Sequence, residues 1–123
     1  MTVISDKGLV GYIISTTNTT AKVQTIIDTA TAVSATISTS RDSILVRGTL
    51  DANYTLKATY IPTDAKLLQG DIIETSGIGG IYPKGIKIGT IKEIINTKNI
   101  TDRYAIIETA VDFSKLETVL VIK

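Results

Sequence analysis

Few residues in this chain could carry out chemistry. It contains no histidine and no cysteine, which excludes Ser-His and Cys-His catalysis and metal sites built from those ligands. Ser76 and Lys84 could form a nucleophilic pair, but nothing completes an oxyanion site, so we interpret them as a turn serine and a solvated lysine. Asp71 and Glu74 are three residues apart in a predicted strand, so their carboxylates point to opposite faces. The sequence therefore predicts no catalytic residue, no metal and no cofactor.

The most unusual segment is rich in glycine and runs from residue 70 to residue 85. It fails as a phosphate-binding loop, because Lys84 precedes Gly85 and no hydroxyl residue follows. It fails as a dinucleotide fingerprint, because Tyr82 occupies the place of the last glycine. We interpret the segment and its continuation as a series of structural turns formed by Gly70, Asp71, Ser76, Gly77, Gly80, Pro83, Gly85 and Gly89.

Composition and charge narrow the class of protein. The 123 residues are enough for a core of their own. Thirteen basic and twelve acidic residues give a net charge of +1, without the basic stripe typical of nucleic-acid-binding proteins. No stretch of about 18 apolar residues occurs, so we expect no membrane span within this chain. Ile, Val and Thr number 21, 8 and 20, a composition that favours β-strands over helices.

Alternation of apolar and polar residues predicts an all-β chain. The clearest example is Tyr54–Tyr60, in which Tyr54, Leu56, Ala58 and Tyr60 should share one face. Isoleucines after Gly89 change phase, which predicts a β-bulge or bend there. Short strands at regular intervals indicate a barrel or a sandwich. The predicted strands cover residues 9–15, 22–28, 33–38, 44–50, 54–60, 71–75, 86–95, 103–111 and 119–122.

Composition shifts once, near Pro62, from Thr- and Ser-rich to Gly-rich sequence. We therefore predict a first small β-barrel of residues 1–62 and a second of residues 63–123. Two alternatives stay open: the terminal strands cross over, or one barrel is inserted in the other. Short helical turns are expected over residues 63–69, with Asp64 as N-cap, and over residues 112–116.

The motifs, taken in order, resemble the family of the rod shape-determining protein MreC. The resemblance runs from about Asp6 to Ile122, and its specific part is the glycine-rich segment. Tyr82 stands where phenylalanine is commoner in the family. The matching residues are Gly8-Leu9-Val10-Gly11, Gly48, Gly70-Asp71, Thr75-Ser76-Gly77, Gly79-Gly80, Tyr82-Pro83-Lys84-Gly85, Gly89, Val111-Asp112-Phe113, Leu116 and Val119-Leu120-Val121.

The resemblance implies two small packed antiparallel β-barrels, distantly like chymotrypsin-type proteases but without a catalytic triad. It also implies a place on the extracytoplasmic side of the bacterial cytoplasmic membrane, with a membrane anchor in a segment absent from this chain. The implied role is a scaffold of the cell-elongation machinery for peptidoglycan synthesis, which maintains rod shape. The implied partners are the class B penicillin-binding transpeptidase, the membrane protein MreD and other copies of the protein, and no nucleic acid.

A scaffold without a catalytic site must act by presenting surface. Ile78, Ile81 and Tyr82 are apolar residues carried on a turn, as binding anchors are, and Lys84 would belong to the polar rim. The alternative is that these side chains fold back and fill one end of a barrel. Two other protein classes stay open from the residues alone: the β-barrel domain of a secretion adaptor, and a small nucleic-acid-binding barrel of the OB type.

Overall fold

The computed structural model describes residues 1–29, 31–49, 55–99, 102–115 and 119–122. The described chain is all-β, as predicted, apart from a short 3-10 helix at Phe113–Lys115. Its ten strands are β1 (Thr2–Ile4), β2 (Leu9–Thr16), β3 (Ala21–Thr25), β4 (Ala32–Ile37), β5 (Ser43–Gly48), β6 (Thr55–Thr59), β7 (Ile72–Thr75), β8 (Lys87–Ile95), β9 (Tyr104–Thr109) and β10 (Leu120–Ile122).

Six strands close into an antiparallel barrel in the order β4-β5-β6-β9-β8-β7. Its inner face follows the alternation of the sequence: Val33, Ala35 and Ile37 of β4 are buried, as are Leu56 and Ala58 of β6. Successive side chains of a strand point to opposite faces, so alternate residues of these strands enter the core. The predicted barrel is thus confirmed for this part of the chain.

The other four strands form a sheet in the order β10-β1-β2-β3. It joins the two ends of the described chain, because β1 pairs with β10 through Thr2 and Ile122. In the described residues this sheet has two edges, β10 and β3, instead of closing into the expected second barrel. The physical reason is size, since four strands of three to eight residues are too few to close around a filled interior.

Strands from both sides of Pro62 belong to the same barrel. Strands β4 to β6 precede this residue and β7 to β9 follow it. The predicted division at residues 62 and 63 therefore does not separate the two sheets. In sequence the six barrel strands lie between β3 and β10, and β10 pairs with β1. The change of composition at Pro62 marks the glycine-rich loop within the barrel, not a linker.

The barrel and the sheet share one hydrophobic core. Leu9, Ile26 and Ile27 are buried in the same cluster as the barrel interior. The backbone of Ile27 also lies very close to Gly48 of β5, where an added Cβ would overlap it. A smaller cluster, formed by Val3, Val10 and Val111, lies apart from this main core.

The phase change in β8 is produced by a β-bulge. The register passes from Glu74 opposite Lys87 to Ile73 opposite Gly89, so Ile88 is an extra residue on the β8 side. An extra residue of this kind bends a strand and resets which side chains face the core. The bulge predicted next to Gly89 is confirmed.

The helical turn predicted over residues 63–69 is wrong. The chain there forms turns, and the Ala65 amide donates to the Pro62 carbonyl at 3.0 Å. The guanidinium of Arg103 donates to the carbonyls of Pro62 and Ala65, both at 2.7 Å. Residues 65–68 have no regular structure, so Asp64 does not begin a helix. The second predicted turn is present as the 3-10 helix, although Leu116 lies outside the described residues.

Tyr60 does not share the inward face of β6. Its φ is 54° and its side chain is 79% exposed, whereas Leu56 and Ala58 are buried. The left-handed backbone turns the chain after β6 so that Ile61, 5% exposed, enters the core instead. The predicted position of Tyr60 is therefore wrong, and Tyr54, its expected companion, lies outside the described residues.

Candidate protein-interaction site

The glycine-rich loop, residues 76–86, connects β7 to β8. Four of its glycines have φ between 73° and 91°, a left-handed backbone that glycine adopts without steric cost. The four glycines are Gly77, Gly79, Gly80 and Gly85. Their conformation allows tight turns within the eleven residues of the loop.

Thr75 fastens the base of the loop. Its hydroxyl donates to the Pro83 carbonyl at 2.6 Å and accepts from the Ile86 amide at 2.9 Å. Its backbone adds two bonds, from the Gly85 amide to the Thr75 carbonyl and from the Thr75 amide to the Ile86 carbonyl, both at 2.9 Å. Thr75 is only 1% exposed, so its side of these bonds is shielded from water.

Ser76 and Asp71 satisfy backbone groups at two different turns. The Ser76 hydroxyl accepts from the Ile78 amide at 3.2 Å, while the Asp71 carboxylate accepts from the Leu68 amide at 3.0 Å. Gly70, next to Asp71, has a φ of 92°. These contacts support turn geometry and bring no acid–base pair together.

The loop divides the predicted contact residues into two groups. Ile78 and Ile81 are 66% and 56% exposed, and Lys84 is also exposed. Tyr82, in contrast, is buried, and its ring packs edge-on against Tyr12 of β2, with centroids 5.9 Å apart. Tyr82 fills the space between loop and sheet, so its assignment as a presented anchor needs correction.

The hydroxyl of Tyr82 is buried and has no hydrogen-bond partner among the described residues. Burial, and to a smaller extent the neighbouring Tyr12, raises the pKa of Tyr82 above its ordinary value. The ring is thus held for packing, and its hydroxyl is kept neutral.

The tip of the loop is attached to the sheet. The Thr2 hydroxyl of β1 donates to the carbonyl of Ile81 at 3.3 Å. Together with Tyr82 beneath and Thr75 at the base, this bond holds the Ile81 backbone while its side chain stays exposed. The arrangement offers apolar side chains on a fixed backbone.

Three residues of this site were not predicted to have a role in it. Thr75 was identified only as a motif residue and Thr2 not at all, because their roles depend on tertiary contacts. Tyr60 lines a groove together with Ile78, which no periodic signal indicated because the residue has left the strand pattern.

The described residues contain no group of three or more Asp or Glu side chains that could hold a metal ion. Among these residues, no helix has the length and apolar character needed to cross a membrane. The features present at the site are exposed apolar side chains, fixed turns and a few hydroxyls. Such a surface can bind a protein.

Comparison with known proteins assigns the chain to a family. A family model described as "Rod shape-determining protein MreC, barrel core" matches residues 1–123. The cell shape-determining protein MreC of Bacillus subtilis is 34% identical over 132 residues, covering 99% of this chain and 46% of that protein. The chain thus spans less than half the length of this curated relative.

Solved structures show the same fold. MreC of Listeria monocytogenes has a TM-score of 0.87 at 30% identity, over 97% of this chain and 58% of that one. A complex between a penicillin-binding protein (PBP2) and MreC from Helicobacter pylori matches with a TM-score of 0.76 at 21% identity, over 96% and 73% of the two chains. A structure of the major periplasmic domain of MreC matches with a TM-score of 0.74 at 20% identity, over 90% and 69%. With its full-length match to the barrel core, this chain belongs to the MreC family of rod shape-determining proteins.

Proposed function

We propose that this chain is a non-enzymatic scaffold of the bacterial cell-elongation machinery. In this proposal the glycine-rich loop is a contact surface for the penicillin-binding transpeptidase that synthesises peptidoglycan. The observation that carries it is the exposure of Ile78 and Ile81 on a loop fixed at its base by Thr75 and at its tip by Thr2.

A fixed backbone favours binding by these isoleucines. Ordering a flexible loop on association lowers affinity, and a loop that is already ordered avoids that cost. Burial of an isoleucine side chain in a partner stabilises a complex by about 1.5–3 kcal/mol. Two such side chains with Lys84 at the rim fit the pattern of an apolar anchor surrounded by polar groups.

The proposed partners follow from the family. The complex of a penicillin-binding protein with MreC from Helicobacter pylori supports a transpeptidase as partner of this chain. Binding to MreD and to further copies of the chain is proposed from the family resemblance. So is a position on the extracytoplasmic side of the cytoplasmic membrane with an anchor outside these residues, supported by the periplasmic domain known for a relative.

The absence of enzymatic activity is proposed on the same grounds. The family is named for shape determination, and the sequence lacks histidine and cysteine. The family match gives no support to the secretion-adaptor and nucleic-acid-binding alternatives.

The test is the variant Ile81→Asp. Placing a carboxylate where an apolar anchor is buried should weaken binding to the extracytoplasmic region of the transpeptidase by about 2 kcal/mol or more, roughly thirtyfold in Kd. The free energy of unfolding should change by only about 0.5 kcal/mol, because the side chain is exposed. Titration calorimetry and urea unfolding measure the two quantities.

The matched control is Ile14→Asp, which changes an isoleucine of β2 that is 44% exposed and lies outside the loop. We expect this variant to bind like the unmodified chain. Unchanged binding by Ile81→Asp, or equal weakening by both variants, would rule out the loop as the contact surface.

A further inference from the structure

An apolar groove lies on the barrel beside the glycine-rich loop. It has a volume of about 300 Å³, and its lining includes Ser34, Ser43, Leu45, Tyr60, Ser76 and Ile78. The strands β7, β4, β5 and β6 are neighbours in that order. Tyr60 follows β6 and Ile78 follows β7, so the two side chains stand on opposite sides of the β4–β5 pair.

Tyr60 has a left-handed backbone conformation, which is unusual for tyrosine. Its φ of 54° lies in the left-handed region, which is strained for a residue with a Cβ and favours glycine or asparagine. Folding needs the backbone turn at this position, because the turn brings Ile61 into the core. Folding gains little from the ring of Tyr60, which is 79% exposed.

The groove is lined by uncharged side chains. Among the residues that the structure describes, its lining contains no ionisable side chain other than the phenol of Tyr60. Asp42 precedes Ser43 of the lining, and Arg41 and Glu74, each two residues from a lining residue, are paired with each other at 3.1 Å. A charged side chain entering the groove would lose water and meet no ionised side chain in this lining. An apolar one would be covered by Tyr60, Leu45 and Ile78, beside the hydroxyls of Ser34 and Ser43.

We propose that this groove receives an uncharged apolar side chain of the penicillin-binding transpeptidase. Ile78 belongs to both the groove and the glycine-rich loop, so the contact surface continues from Ile81 across Ile78 to Tyr60. This inference rests on the proposed function and adds a second contact region, on the wall of the barrel, to it.

The decisive variant is Tyr60→Asn. Asparagine tolerates the left-handed backbone, so the variant removes the ring without endangering the fold. We expect the Kd for the extracytoplasmic region of the transpeptidase to rise at least tenfold, with a urea midpoint equal to or above that of the unmodified chain. Ile78→Ser should weaken binding similarly, while the matched variant Ile14→Ser, on β2, should bind normally.

Each other outcome overturns the proposal in a recognisable way. If the unmodified chain binds, Ile81→Asp binds weakly and Tyr60→Asn binds normally, the groove is not a contact and the proposed function stands. If the unmodified chain does not bind the transpeptidase, both proposals fail. If Tyr60→Asn changes only the self-association of the chain in sedimentation, the occupant is a second copy and not the transpeptidase.

Discussion

The barrel wall and the glycine-rich loop use glycine for opposite physical reasons. At Gly89 in the wall, an added Cβ would overlap the carbonyl oxygen of Glu108, although the backbone conformation there is open to other residues. At Gly80 in the loop, an added Cβ would meet nothing within 4 Å, but φ is 73°. The wall therefore lacks space, and the loop requires an unusual backbone. The residues that determine the loop backbone can thus be distinguished, by substitution, from the residues whose side chains the loop exposes.

Gly89→Val should have the largest effect. The new side chain must displace the backbone of β9, so we expect a loss of about 3 kcal/mol or more in the free energy of unfolding. Urea unfolding followed by circular dichroism measures it. Stability like that of the unmodified chain would mean that β8 and β9 are not in close contact at this residue.

Thr75→Val tests whether the base of the loop depends on one hydroxyl. Valine keeps the shape of threonine but leaves the Pro83 carbonyl and the Ile86 amide without this partner. We expect the free energy of unfolding to fall by about 1–3 kcal/mol, the usual cost of leaving a buried donor or acceptor without a hydrogen bond. The control is Thr90→Val, at a half-exposed position of β8, which should change stability by no more than about 0.5 kcal/mol.

Gly80→Ala should cost less, about 1 kcal/mol, because only the left-handed backbone opposes it. Gly80→Asn should cost still less, since asparagine accepts that conformation more readily. Comparison of the two variants by thermal unfolding separates backbone strain from crowding. Equal losses for both would show that space, and not conformation, limits this position.

Tyr82→Phe should have the smallest effect and the opposite sign. It removes a buried hydroxyl that has no partner among the described residues, so stability should stay level or rise by up to about 1 kcal/mol. Burial raises the pKa of Tyr82, so above about pH 10 the unfolded chain loses this proton before the folded chain does. Stability should therefore fall as pH rises through this range, and less steeply in the phenylalanine variant.

Much of the barrel could be predicted from local patterns. Alternation over residues 33–38 puts Val33, Ala35 and Ile37 on one face, which is the buried one, and the phase change in β8 predicted the bulge next to Gly89. Both depend on residues close together in sequence. Strand β1 was missed because its three residues are too few to show alternation, and the pairing of Thr2 with Ile122 joins residues from opposite ends of the chain.

The site was harder to predict than the fold. The sequence indicated that the loop from Ser76 is unusual, but not that Tyr82 turns inward while its neighbour Ile81 stays exposed. That difference is decided by packing against Tyr12, which lies far away in sequence. Tyr60 shows the same limit, because its strand pattern predicts an inward side chain and one left-handed residue reverses it.

In the proposed complex, the exposed isoleucines of the loop touch the transpeptidase while the residues beneath them serve only folding. Site-specific photo-cross-linking tests it most directly, with a photoreactive amino acid at position 81 and, as control, at position 14. We expect a cross-link to the transpeptidase from position 81 and none from position 14. A cross-link from position 14 alone, or none from position 81 while the complex forms, would show that the loop is not the contact surface.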